Sequence, residues 1–376
     1  MKKFFSPSIA IALIVLLVSG CTTFKALSVL NGGRPIADPG SSSEISFTTK
    51  GEHIIIVPVK INDSDKPYNF MLDTGALTLV SKKTAKELNL PAGVEIQARD
   101  SNDATKPMQL INLDRLRLGD MAVAKCPTGI LDFSEFGGNL KVPGGMDIDG
   151  VIGSNFLRYF KVTIDYKNEK LYLSNDTHPV AAKDGDYRIR FTMDMAQGYA
   201  PKIECMIDNR TKAHAIIDTG APSIATLPLA LLEKTDAYKN GQLVHSKGNI
   251  WGAAFKASEN TQLLRLKYLE IGALKIDDIP VIALPHKNIL LGKKFLSRFL
   301  VTLNYPAKEI TLAPNGPLDF PTNIFSFGTI VKKTEDGKTL VAGFWDGSSA
   351  DKLGIHIGDE LVMINGRKID TLSPVE

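Results

Sequence analysis

Two stretches of the chain carry residues that could do chemistry as a pair. Phe70-Met71-Leu72-Asp73-Thr74-Gly75-Ala76 and Ala215-Ile216-Ile217-Asp218-Thr219-Gly220-Ala221 each run from apolar residues into Asp-Thr-Gly-Ala. Such a run delivers its aspartate to the end of a buried strand, and glycine permits the sharp turn that must follow. With no side chain at Gly75 or Gly220, backbone amides can approach the preceding carboxylate, and the hydroxyls of Thr74 and Thr219 can donate and accept around it. If the turns face each other, two carboxylates lie within hydrogen-bonding distance. Like charges so close do not both ionise, so the pair holds one proton at mildly acid pH and offers an acid and a base in one site. The competing reading is a pair of buried structural carboxylates. Burying an unpaired charge is costly, which favours a shared proton with a use.

The elements that must position this pair read as strands: His53 to Ile61, Tyr68 to Leu72, Leu113 to Leu118, Val162 to Tyr166 and Lys170 to Leu173, with Asn, Asp, Gly and Lys in the turns. The second half repeats the plan. Val162-Thr163-Ile164-Asp165-Tyr166 is answered by Val301-Thr302-Leu303-Asn304-Tyr305, and the two aspartates are 145 residues apart. Ser81 to Leu88 and Pro228 to Thr235 have helical spacing just after the turns.

These motifs resemble those of the aspartic proteases, and more closely their retropepsin-like bacterial branch, over about residues 46–318. A second family element, an apolar-apolar-Gly strand followed by a short helix, reads Asp149-Gly150-Val151-Ile152-Gly153-Ser154-Asn155-Phe156 in the first half and Leu290-Leu291-Gly292-Lys293-Lys294-Phe295 in the second. The resemblance implies an all-β, bilobal acid-protease pseudo-dimer within one chain, with lobes at 46–178 and 185–318. It implies peptide-bond hydrolysis by a water that Asp73 and Asp218 activate, with no cofactor and no metal. Thr74 and Thr219 would tie the loops together, and the backbone at Gly75 and Gly220 would orient the carboxylates. A flap hairpin would lie between the motifs in each lobe. The first candidate, Ala98 to Gln109, lacks the glycine that a hairpin tip usually needs. The second, Gly248 to Gly252, has it, and Trp251 and Gly252 are candidate substrate contacts. Trp251 serves equally well as a cover for its own lobe's core.

From Gly343 onward the chain resembles a bacterial PDZ domain, within a unit placed at 322–376. Phe327 and Gly328 stand where such domains place the carboxylate-binding loop beside a peptide-adding strand. The helix and last strand that would complete the groove do not follow, so the unit is expected to be incomplete and its removal to leave short-peptide cleavage almost unchanged.

At the other end, Met1-Lys2-Lys3 and the apolar run Ile9 to Val18 read as an export signal spanning 1–20, too short to cross a bilayer. Val18-Ser19-Gly20-Cys21 looks like a lipobox, which makes Cys21 the lipid-bearing first mature residue. Residues 21–45, rich in Gly, Pro and Ser from Leu30 to Ser43, read as a tether. The expected place is the cell envelope, lipid-anchored, with Thr22 suggesting the outer membrane facing the periplasm or the cell surface. Net charge is +3, or +1 once residues 1–20 are removed, which argues against a nucleic-acid or other polyanionic partner. Cys126 and Cys205 read as buried thiols rather than a bridge. His214 alternates with Ile216 and Asp218 and is more simply a solvated or core residue than a dyad partner. No His-Glu-x-x-His, Gly-x-Ser-x-Gly, phosphate-loop or dinucleotide motif occurs. The competing function is a lipoprotein that holds a partner peptide in a protease-like cleft without cutting it.

Overall fold

The computed structural model describes residues 23–369 except 39, 51–53, 101–103, 134–147, 180, 182, 250, 253–256, 259–260, 321–325 and 335, with backbone alone at 251–252, 257–258 and 333. The export signal and Cys21 lie outside the described residues. The chain is mostly strand and has the all-β acid-protease fold expected of it. No described helix is long and apolar enough to cross a membrane.

Each aspartate stands at the end of a strand whose last residues are buried and apolar, whereas Asn69, Lys212 and His214 earlier in the two strands are exposed. In Tyr68–Asp73, Phe70 and Leu72 are fully buried and Met71 nearly so. This strand lies parallel to Gly150–Gly153, with Gly153 opposite Asp73. In the second half Thr211–Ile217 lies parallel to Ile289–Leu291, with Ile217 opposite Leu291. Each glycine-bearing strand also pairs antiparallel with the strand that leaves the turn, Leu79–Ser81 or Ala225–Pro228. The turn is therefore held between two neighbours. The glycines admit it, since a Cβ on Gly153 would lie 2.5 Å from the Leu77 carbonyl carbon and one on Gly292 would lie 2.6 Å from the Ser223 carbonyl oxygen.

The halves meet in a shared sheet. Lys161–Asp165 pairs antiparallel with Phe299–Asn304, in a register that sets Thr163 opposite Thr302, and the two hydroxyls are 2.9 Å apart. Lys170–Ser174 and Glu309–Pro314 flank this pair. Arg158 adds a side-chain link, with its guanidinium 3.9 Å from the Tyr199 ring and 4.7 Å from the Tyr159 ring.

Two expectations need correction, and the first flap candidate is found as a hairpin. The stretch read as a tether is taken into the fold: Arg34–Ile36 pairs with Met121–Leu131, and Ser42–Ser46 pairs with Lys170–Ser174, burying Ser43 and Ile45. Short edge strands need few apolar residues, so composition hides them. The hairpin without glycine forms nonetheless. Val94–Arg99 pairs with Thr105–Leu118 through Arg99 opposite Thr105, and the Asp100 carboxylate accepts the Ala104 N–H at 2.9 Å across the tip. Pro228 to Thr235 is not one α-helix. A 3-10 helix spans Leu229–Lys234, and Thr235 then starts Asp236–Lys239 by accepting the Tyr238 N–H at 3.2 Å.

The C-terminal unit is joined to the second half through a hairpin strand. Val244–Gly248 pairs on one edge with Gln262–Ile271 and on the other with Thr339–Trp345, setting Gly248 opposite Gly343. Lys247 reaches Asp346 and Asp351, each at 3.1 Å, and lies 5.4 Å from the Phe344 ring. The corresponding first-half strand, Val94–Arg99, ends its sheet with no second neighbour among the described residues. One hairpin is thus braced and the other open-edged. Removing 322–376, expected to leave short-peptide cleavage almost unchanged, would strip Val244–Gly248 of one of its two neighbours. Hydrogen exchange at amides 244–249 should quicken by at least about tenfold in that deletion, while amides 94–99 keep their rates. Equal rates at 244–249 in the two proteins would show that the brace does not hold.

Candidate active site

The two turns face each other across the junction of the halves. Thr74 and Thr219 are fully buried and bonded reciprocally: the Thr74 N–H donates to Thr219 Oγ1 at 3.0 Å, and the Thr219 N–H donates to Thr74 Oγ1 at 3.1 Å. Each hydroxyl then donates to the strand before the opposite aspartate, Thr74 to the Ile217 carbonyl at 2.6 Å and Thr219 to that of Leu72 at 2.9 Å. Four hydrogen bonds therefore fix one turn to the other. Both threonines use donor and acceptor capacity together, which valine, of the same shape, could not do.

Within each turn the glycine amide holds its own carboxylate. The Gly75 N–H donates to Asp73 Oδ1 at 2.8 Å and the Gly220 N–H to Asp218 Oδ1 at 2.9 Å. The same glycines make room for the opposite carboxylate. A Cβ on Gly75 would lie 2.8 Å from Asp218 Cγ, and one on Gly220 would lie 2.6 Å from Asp73 Oδ2. Each carboxyl group therefore lies beside the turn that carries the other.

This geometry sets the protonation. Both residues keep a partly open face, but their carboxyl groups are surrounded by protein. Burial raises Asp73 above the ordinary carboxylate range, opposed by the Gly75 amide, the Asp218 carboxyl and the Ala76 amide. Asp218 is held well above that range, first by burial and then by the charge of Asp73. The pair keeps one proton over a pH range in which isolated carboxylates have lost theirs.

The other sequence candidates are placed elsewhere. Trp251–Gly252 pairs with Ala257–Ser258 near the end of the second hairpin. Phe327 is about half exposed in the C-terminal unit. Gly328, at φ +96°, donates its N–H to Ser326 Oγ at 3.1 Å, and its carbonyl accepts the Trp345 N–H at 3.0 Å. That loop amide is engaged within the unit. His214 is exposed, opposite Glu204. Cys126 and Cys205 are buried free thiols, each pushed up to about 12 by burial. Among the described residues no three His, Cys, Asp or Glu gather as metal ligands. Two surface hollows of about 400 and 370 Å³, lined by residues such as Tyr187 and Phe320 or Ile45 and Arg117, include neither aspartate.

Sequence reading missed three buried polar residues behind the turns. Asn155 accepts the Thr78 N–H at 2.7 Å and donates to the Pro127 carbonyl at 2.7 Å, fixing the exit of the first turn. Ser154 and Tyr305 join in a hydrogen-bonded pair at the Thr74 carbonyl. The signal was available, since Ser154-Asn155 follows the Gly153 that the turn packs on and Tyr305 is matched by Tyr166.

Raised carboxyl pKa values make the folded state bind protons more tightly than the unfolded chain, so this site costs stability as pH rises. The cost begins near the unfolded carboxylate value of about 4 and is complete above the raised folded value. Asp218→Asn should therefore melt higher than wild type at pH 8, by about 2–4 °C for each kcal/mol relieved, with the difference shrinking toward pH 4. A thermal series over that range checks the sign. A variant that is less stable at pH 8 than at pH 4, relative to wild type, would contradict it.

No curated protein matches the chain. Residues 57–156, which hold the first Asp-Thr-Gly-Ala turn and the glycine strand beside it, match a family model described as aspartyl protease, so that this part of the chain is similar to the aspartyl proteases.

Proposed function

We propose that the chain is an aspartic endopeptidase, its two matched halves forming a pseudo-dimer around a dyad of Asp73 and Asp218. The observation that carries this reading is the reciprocal Thr74–Thr219 bonding, which sets each carboxyl against the glycine of the opposite turn. One carboxylate takes a proton from a water held between the two, and that water's oxygen attacks the scissile carbonyl carbon. The protonated partner gives its proton to the carbonyl oxygen, leaving a tetrahedral diol. Breakdown returns a proton to the dyad from the diol and delivers the other to the departing amine. The enzyme forms no covalent intermediate.

Peptide turnover by Asp73→Asn, Asp218→Asn and the double variant tests this. Each single change should abolish nearly all activity, by at least about a thousandfold, and the double should lose little more, because the pair acts as a unit. Wild-type kcat/KM should be bell-shaped in pH, with its optimum on the acid side of neutrality. Tight binding of an uncut peptide with no turnover at any pH would instead favour a binding lipoprotein. Retained activity in Asp218→Asn would replace the single-chain dyad by pairing of first halves between two chains.

We further propose that the protein is held in the cell envelope by lipid on Cys21 and meets peptide or protein substrates there. The paired strand Arg34–Ile36 supports a body that stands close to the bilayer, since only residues 22–33 separate it from Cys21. Cys21→Ala should abolish incorporation of labelled fatty acid and move the protein to the aqueous phase on detergent partitioning. Anchoring equal to wild type would refute the lipid assignment.

A further inference from the structure

The two turns differ in what stands behind them. Ser154 opens the short helix Ser154–Leu157, and its hydroxyl lies 2.7 Å from the Thr74 carbonyl oxygen and 2.7 Å from the Tyr305 hydroxyl. Ser154, Thr74 and Tyr305 are all fully buried. A carbonyl oxygen only accepts, so the Ser154 proton goes to Thr74 and Tyr305 must donate to Ser154. The Thr74 carbonyl belongs to the same amide as the Gly75 N–H, which donates to Asp73 Oδ1 at 2.8 Å. Polarising an amide at its oxygen strengthens its N–H as a donor. A hydrogen-bond chain therefore runs from Tyr305, in the second half, through Ser154 and the Thr74–Gly75 amide to the Asp73 carboxylate.

The second turn is built differently. Its matching positions hold Lys293 in place of Ser154, after Gly292, and Tyr166 in place of Tyr305. The Tyr166 hydroxyl is buried with no hydrogen-bond partner, although the Gly220 N–H makes the same bond to Asp218 as Gly75 makes to Asp73. The chain of hydroxyls reaches one aspartate and stops short of the other.

We propose that Tyr305 and Ser154 are positioning residues that make Asp73, rather than Asp218, the member of the pair that carries the negative charge. This deepens the proteolytic reading and rests on it for its consequence: Asp73 takes the proton from water, and Asp218 gives its proton to the carbonyl oxygen. The electrostatics agree, since Asp218 is the carboxyl held well above the ordinary range. Among the described residues few titratable groups face the pair. Asp218 faces Asp73, Tyr305 stands behind the Asp73 turn, and Tyr166 lies on the Asp218 side.

The test compares Ser154→Ala, Tyr305→Phe and their double variant with Tyr166→Phe, which removes a hydroxyl of the same kind outside the chain. The acid limb of kcat/KM against pH, set by the ionised carboxylate, should move up by about half a unit in each single variant and no further in the double. At the optimum kcat should fall about three- to tenfold with KM little changed, Ser154→Thr should restore the profile, and Tyr166→Phe should leave the limb in place. An unmoved limb in Ser154→Ala and Tyr305→Phe, or an equal shift in Tyr166→Phe, would overturn the proposal. A second measurement does not need turnover: the ¹³C carboxyl resonances of aspartate-labelled protein, assigned by their loss in Asp73→Asn and Asp218→Asn. Asp73 should lose its proton at the lower pH, and Tyr305→Phe should narrow the gap. If wild type cuts nothing, the proteolytic reading fails and this titration still decides the chain's role; Asp218 ionising first would refute it.

Discussion

The rest of the structure depends on keeping two carboxyl groups, each disposed to be negative, in one place from which most water has been removed. Two unit charges about 4 Å apart repel by about 4 kcal/mol at the effective dielectric of a protein near its surface. A single shared proton removes most of that repulsion, but only while the geometry is held. The four threonine bonds hold it from the side, and the parallel glycine strands hold it from beneath. The contact between Thr163 and Thr302 keeps the two halves in register at a distance. None of these features would be needed for a single buried aspartate.

Much of this was legible in the chain because its physics is local. A short apolar run ending in Asp-Thr-Gly reads as a buried strand followed by a sharp turn, and a glycine at position 153 or 292 lets that turn lie against it. The turn-to-turn bonding through Thr74 and Thr219 was expected from the resemblance to the aspartic proteases, the residues alone saying only that both hydroxyls could donate and accept. What stayed hidden depends on partners remote in sequence. Arg34–Ile36 and Ser42–Ser46 look like linker because edge strands take their stability from a neighbour's amides rather than from their own side chains. Thr105–Leu118 was read as a strand from Leu113 and as part of a hairpin candidate up to Gln109, and its continuity through Pro107 was not foreseen, because proline is tolerated in a strand only where no donor is needed. The role of Asp100 at its tip was equally invisible, because aspartate substitutes for glycine through its carboxylate and not through its backbone freedom. Ser154 and Tyr305 are 151 residues apart and meet only because the halves share a sheet.

The halves are alike in plan and unlike in their supports. The first turn has a hydroxyl chain behind it, and the second an unpartnered tyrosine. The first hairpin's outer strand has no second neighbour among the described residues, and the second is paired with the C-terminal unit. The first difference lies within the motifs by which the halves match: the residue after the strand glycine is Ser154 in one half and Lys293 in the other, and the matched tyrosines, Tyr305 and Tyr166, differ in what their hydroxyls meet. Chemical equivalence of the two aspartates ends at the first residues that do not touch them.

The pairing of Lys161–Asp165 with Phe299–Asn304 also orders events during synthesis. The first turn, its glycine strand and Lys161–Asp165 are complete when the ribosome has yet to make the second half, so each nascent chain carries one aspartate without its partner. Domains generally fold as they emerge, N-terminal part first. Until residue 304 has left the ribosomal tunnel, the shared sheet has no second member and the lone carboxylate has no neighbour with which to divide a proton. On the reading proposed above, a nascent chain therefore holds only half of its dyad until the shared sheet closes.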